Sequence, residues 1–158
     1  MPRLYNLMRM NNLGIVSAMR PLEHIEIRRT LKGPSSFVPY EKISTAILGE
    51  QYNLSLTICG DTLASRINSE HRKKAYSPNV LSFPYDKHSG EIFLNLRKAA
   101  REARKYPSIL HAGKNREVSE HTLYLFIHGC LHLKGLDHGK KMEALEIQYV
   151  KQYIKAKK

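Results

Sequence analysis

The pattern of apolar and polar residues along the chain predicts an alternation of short strands and helices. Residues 53–59 (NLSLTIC) alternate regularly, with Leu54, Leu56 and Ile58 on one face, and so predict a half-buried strand. Residues 40–49 repeat their apolar positions at helical spacing instead. Because both periods occur close together, the chain is expected to contain strands and helices in one fold.

The remaining segments extend this prediction. After Gly60, Asp61 is a suitable N-cap for a helix that runs to about residue 71. Pro84 places a strand over residues 80–85 at the edge of a sheet or at a strand end. We therefore predict an α+β fold, a small mixed β-sheet packed with several helices. Further strands are predicted at 24–30 and 90–96, and further helices from about 96, over 117–134 and over 140–154, the last with Met142, Leu145, Ile147 and Val150 at apolar positions.

Composition indicates one globular domain. Of the 158 residues, 42% are hydrophobic, which is enough for a core and argues against a disordered chain. Residues 1–158 are therefore expected to form a single domain, with 1–18 as an extension that could be flexible. No apolar run approaches the roughly 20 residues of a membrane span, and Asn11 and Asn12 interrupt the start, so neither membrane association nor a signal peptide is expected. Two cysteines, Cys59 and Cys130, suit a reducing cytoplasm.

The charge of the chain favours an anionic partner. Lysine and arginine number 26 against 14 acidic residues, a formal net charge of +12. Nucleic acid is the partner that such an excess fits best, although a basic soluble protein without one remains an alternative.

The segment HGCLHLKGLDH, residues 128–138, carries the candidate chemistry. His128 and His132 lie one turn apart on one helix face, so their imidazoles can converge. Gly135 permits the left-handed turn that ends the helix and returns His138 to the same point. Three neutral imidazoles favour zinc, with other transition metals as alternatives, and leave a coordination position for water.

This spacing equals that of the long zinc-protease motif, H-E-x-x-H-x-x-G-x-x-H, so a zincin-like metal site on a long helix is predicted. The glutamate of that motif, the general base, is replaced by Gly129. Peptidase chemistry is therefore disfavoured. Asp137 is interpreted as a carboxylate that orients a histidine or its neighbouring backbone, or as a turn residue. Cys130 is interpreted as a buried residue rather than a ligand.

With these residues in view, the chain resembles the YbeY family of metal-dependent endoribonucleases. The family motif H-G-x-L-H-L-x-G-x-D-H agrees with residues 128–138 at every fixed position. Residues 68–86 (NSEHRKKAYSPNVLSFPYD), 90–92 (GEI) and 142–146 (MEALE) are similar to further family blocks in the same order. The chain departs from many relatives at Ser77-Pro78 and at Tyr124, so the resemblance does not predict the detailed shape of the cleft.

The resemblance implies a single-strand-preferring endoribonuclease with one zinc ion, acting in the cytoplasm on single-stranded RNA. It implies a role in ribosomal RNA maturation, notably at the 3′ end of 16S rRNA, in ribosome quality control, and contact with the ribosome or its small subunit. By the motif match, His128, His132 and His138 are the metal ligands and catalytic residues, and Arg72 is a catalytic arginine. Without the resemblance, the position of Arg72 beside Lys73 and Lys74 favours its interpretation as a solvated surface charge.

Two other functions remain open at this point. One is a metallohydrolase of a non-RNA substrate such as a peptide, and the other is a ribosome-associated protein with a structural metal. A fourth protein ligand would favour the structural metal, whereas an open position would favour an enzyme.

Overall fold

In the computed structural model, residues 24–33 and 37–154 are described, and they contain one four-stranded sheet. The strands are β1 (Ile25–Arg29), β2 (Asn53–Cys59), β3 (Val80–Asp86) and β4 (Ser89–Asn95), in the order β1-β2-β4-β3. β2 is parallel to β1 and to β4, whereas β3 pairs with β4 in the antiparallel direction. The sheet is therefore mixed, as predicted, and Pro84 lies in the edge strand β3.

Five helices accompany the sheet in the described part of the chain. They are α1 (Tyr40–Leu48), α2 (Asp61–Arg72), α3 (Leu96–Ala103), α4 (Val118–Leu133) and α5 (Lys140–Ile154). α4 is the central helix, since 11 of its 16 residues are buried. It packs against α1, α3 and α5 and lies against β3 and β4. This position explains why both α4 and the sheet can contribute to one site.

Strand β2 is more buried than its alternation indicated. Leu54, Leu56 and Ile58 belong to the main core, as expected. Thr57 and Cys59 on the opposite face are also buried, and Cys59 packs in a second cluster formed with α2, β3 and β4. The prediction of a half-buried strand is therefore wrong for its carboxyl-terminal half, because helices cover both faces of a sheet built on parallel pairs.

Two local predictions on the helices are also wrong. Gly60, not Asp61, is the N-cap of α2. The Asp61 carboxylate instead accepts two 2.8 Å hydrogen bonds from the Arg101 guanidinium, which hold its pKa well below the usual range and link α2 to α3. In α5, Ile147 is 42% exposed, while Glu146 is buried in its place.

None of the described helices is long and apolar enough to cross a membrane. The predicted extension, residues 1–18, lies outside the described residues.

Candidate metal centre

The end of α4 brings the three histidines of residues 128–138 together. The Gly135 N–H donates to the His132 carbonyl at 2.9 Å, and the Leu136 N–H donates to the Leu131 carbonyl at 3.1 Å. These two bonds form a Schellman motif, which requires the left-handed conformation that Gly135 adopts at φ 97°. The chain therefore turns back at the predicted glycine, and His138 returns towards the helix.

The three imidazoles meet at their Nε2 atoms. His132 Nε2 lies 3.0 Å from both His128 Nε2 and His138 Nε2, and the last two atoms are 3.2 Å apart. Nitrogen ligands at about 2.0–2.1 Å from a tetrahedral zinc ion are separated by about 3.3 Å, close to these distances. These histidines could thus hold one metal ion, and no other Cys, His, Asp or Glu of the described ranges joins the group.

The hydrogen bonds on the far side of two rings determine which nitrogen is free. His128 Nδ1 is 2.5 Å from Glu146 Oε1, and His132 Nδ1 is 2.9 Å from the Leu136 carbonyl oxygen. A carboxylate and a carbonyl only accept, so each neutral ring carries its proton on Nδ1 and a lone pair on Nε2. Two lone pairs then face each other at 3.0 Å, an arrangement that a cation between them stabilises.

The surroundings of His132 also favour its neutral form. Burial lowers the pKa of His132, and the neighbouring His128 and His138 lower it further. Because a metal binds only unprotonated imidazole, this shift favours the form that can be a ligand.

The carboxylate that orients His128 is Glu146, which the sequence reading did not single out. Asp137, the residue interpreted in this role, is exposed and makes no hydrogen bond to a histidine within the described ranges. Glu146 is 4% exposed and also accepts a 3.2 Å hydrogen bond from the Tyr124 hydroxyl. A signal was present, since Met142, Glu146 and Val150 recur every four residues and place a carboxylate on the apolar face of α5.

We expect Glu146→Gln to weaken zinc affinity about 10- to 100-fold, because the amide no longer offers His128 a charged acceptor. Competition with a chelating dye measures the affinity. Glu143→Gln, on the exposed side of the same helix, is the matched control and should leave the affinity unchanged. Equal affinities for the two variants would contradict the assigned role.

A cavity of about 430 Å³ lies beside the histidines. Arg72, the last residue of α2, lines it and is exposed. The helix stops there because Lys73 takes up the left-handed conformation at φ 57°. The structure thus brings Arg72 to the same cavity as the three histidines, together with Tyr76, Pro78, Asn79, Val80, Ser82, Lys98 and Glu102.

A side chain at Gly129 would meet close neighbours. A Cβ atom there would lie 3.0 Å from Ser82 Oγ, 3.1 Å from Ile92 Cδ1 and 3.3 Å from Val80 Cγ2. The Ser82 hydroxyl also donates to the Gly129 carbonyl at 3.1 Å. The position of the protease glutamate is therefore tightly packed between α4 and the strands β3 and β4.

Glu102 is a second residue that the sequence reading missed. It lies in the segment RKAAREARK, residues 97–105, in which every other charged residue is basic. Its carboxylate lines the cavity, although its side chain is only 16% exposed. A single acidic residue within a basic helix was the available signal.

Comparison with known proteins identifies the family. The sequence profile described as Endoribonuclease YbeY matches residues 30–157. The Endoribonuclease YbeY of Polynucleobacter asymbioticus is 35% identical over 107 residues, 62% of this chain and 64% of that protein, so the match spans less than two thirds of that relative. The protein of that name from Ehrlichia ruminantium strain Welgevonden is 31% identical over 137 residues, 81% of this chain and 80% of the relative.

A solved structure has the same fold. The solution structure of a protein from Thermotoga maritima superimposes with a TM-score of 0.59 and 21% identity, over 84% of this chain and 90% of that one. The match of the family profile to most of the chain, together with these relatives, shows that the chain belongs to the Endoribonuclease YbeY family.

Proposed function

We propose that this protein is a single-strand-specific, zinc-dependent endoribonuclease that acts in the cytoplasm in ribosomal RNA processing. Its expected tasks are maturation of the 16S rRNA 3′ end and ribosome quality control, on the ribosome or its small subunit. The observation that carries the proposal is the meeting of three imidazole Nε2 atoms within 3.2 Å, in a cavity that Arg72 also lines. Membership of a family named for endoribonuclease activity supports it.

His128, His132 and His138 would hold the ion, since three neutral imidazoles suit zinc better than the oxygen-binding cations. When bound, zinc supplies a Lewis acid that polarises a phosphoryl oxygen and lowers the pKa of water to about 7.

The side chains around the cavity suit an RNA phosphate. The Arg72 guanidinium can donate two parallel hydrogen bonds to nonbridging oxygens, which gain negative charge during attack on phosphorus. Lys98 lines the same cavity and adds a second positive charge. The net charge of +12 attracts the polyanion as a whole.

The size of the cavity supports an unpaired substrate. A space of about 430 Å³ suits a nucleotide that has left the stack, whereas the bases of an A-form duplex remain stacked within the helix. Tyr76 lines this space and is 52% exposed, so its ring is available to a splayed base.

Cleavage of a labelled RNA with one single-stranded and one duplex half tests the proposal. We expect cuts in the single-stranded half alone, loss of cutting in a chelator and recovery when zinc is restored. Cutting that persists after complete metal removal would refute the metal-dependent activity.

A parallel assay with a peptide substrate separates the two alternatives. A peptide substrate should stay intact, because Gly129 leaves no side chain where the protease base would lie. Purely structural metal is disfavoured, because no fourth side-chain ligand was found in the described ranges and the site adjoins a cavity. Peptide cleavage would support the first alternative, and metal binding without any cleavage would support the second.

A further inference from the structure

We propose that the Glu102 carboxylate accepts the proton of the attacking oxygen when RNA is cleaved. This inference rests on the proposed endoribonuclease function and names the proton acceptor that Gly129 cannot supply.

Among residues 24–33 and 37–154, Glu102 is the only acidic residue that lines the cavity. Other acidic residues near the histidines are unsuitable. Glu146 is buried and engaged with His128 and Tyr124, and Asp137 does not line the cavity. A general base must come within hydrogen-bond reach of the proton that it accepts, so a cavity-lining carboxylate has the right position.

One carboxylate oxygen of Glu102, Oε2, is positioned by neighbouring side chains. Asn79 Nδ2 donates to Oε2 at 2.9 Å, and His121 Nε2 lies 3.5 Å from the same atom. Arg116 NH1 is 3.3 Å from His121 Nδ1 and can only donate, so His121 carries its proton on Nε2 and directs it towards Glu102.

The buried histidine behind Glu102 is itself fixed. His121 is 1% exposed and its ring stacks between those of Tyr106 and Tyr124, with centroids 5.2 and 6.0 Å away. Burial lowers the pKa of His121, which favours the neutral ring. The carboxylate is thus oriented by two neutral donors that both act on Oε2.

The other oxygen, Oε1, is more available. It lies 3.9 Å from Lys98 Nζ, which makes an ion pair but is too long for a hydrogen bond. With 16% of its side chain exposed, Glu102 is neither sealed in the core nor fully solvated. A carboxylate with one restrained and one available oxygen is suited to accept a proton at a defined place.

In the proposed step, the O–H bond of the attacking oxygen breaks and its proton moves to Glu102 Oε1. The electron pair left on that oxygen forms the new bond to phosphorus. The bond from phosphorus to the leaving oxygen breaks, and its electron pair stays on that oxygen, which takes a proton from solvent. Glu102 then releases its proton to solvent, so the carboxylate is regenerated.

The test compares Glu102→Gln with Glu143→Gln in the zinc-loaded full-length chain. We expect Glu102→Gln to lower the single-turnover cleavage rate of a single-stranded RNA by at least about 100-fold, the usual contribution of a general base. The dissociation constant for RNA, the zinc content and the melting temperature should stay unchanged. Glu143, exposed on α5, should tolerate the same change without loss.

Two more variants separate catalysis from packing. Glu102→Asp keeps the charge but withdraws it by one methylene, so we expect about a 10-fold loss of rate. Asn79→Ala removes a restraint and leaves the carboxylate, so at least a tenth of the rate should remain. If Glu102→Gln misfolds, the cleavage rates of the other two variants test the inference. These rates should decrease in the order wild type, Asn79→Ala, Glu102→Asp.

Several outcomes would overturn the inference. A rate for Glu102→Gln within threefold of wild type would do so, as would a loss matched by falls in zinc content or RNA affinity. If the wild-type protein cuts RNA and the Glu102 variants cut equally well, only this inference fails. A wild-type protein that does not cut RNA refutes the proposed function, and this inference with it.

Discussion

Replacing His132 with alanine is expected to reduce RNA cleavage by on the order of 10³-fold or more, since Lewis-acid stabilisation is worth several kcal/mol. His132 is the residue to change first, because its Nε2 lies 3.0 Å from those of both His128 and His138. Its loss leaves two nitrogens, too few for the tridentate site. His128→Ala and His138→Ala should act in the same direction.

Single-turnover cleavage and metal analysis of the purified variant check this expectation together. His111→Ala is the matched control, since His111 is exposed and lies in the loop before α4. The circular dichroism spectrum should be unchanged in every variant. Full cleavage by a His132→Ala protein that contains no metal would disprove the metal-based mechanism.

Changing Arg72 to glutamate should reduce cleavage about 100- to 1,000-fold, because a bidentate donor to phosphate is lost and a like charge replaces it. Metal content should stay constant, since within the described residues Arg72 makes no hydrogen bond or ring contact with a ligand histidine. Arg72→Lys keeps the charge without the planar pair of donors, so an intermediate loss of about 10-fold is expected.

Lys74→Glu is the control for Arg72, because it makes the same change of charge two residues away without lining the cavity. Rates measured at two salt concentrations separate local from general electrostatics, which salt screens. Equal losses for Arg72→Glu and Lys74→Glu would show that only overall charge matters. Arg72 would then be the solvated surface residue that its lysine neighbours indicate.

Those features of the fold that depend on local patterns could be predicted from the sequence. The period of β2, the length of α4 and the stop at Gly135 all follow from residues close together in the chain. The meeting of His128, His132 and His138 was predictable for the same reason, because a helix and one turn span the whole motif.

Features that depend on distant contacts could not be predicted in this way. Glu146 reaches His128 because α5 packs on α4, and Asp61 binds Arg101 because α2 and α3 meet beside the sheet. In both cases a carboxylate has a partner at least 18 positions away, and periodicity carries no information on such pairs. The position of Glu102 depends on Asn79 and His121 in the same manner.

The tight fit at Gly129 has a consequence for how related metal sites can interconvert. Inserting the protease glutamate would place its first side-chain carbon 3.0 Å from Ser82 Oγ and 3.1 Å from Ile92 Cδ1, so both side chains would have to give way. The Ser82 hydroxyl, which donates to the Gly129 carbonyl, would be the first group displaced. A change from glycine to glutamate in this motif is thus expected to need accompanying changes on β3 or β4, where Ser82 and Ile92 lie.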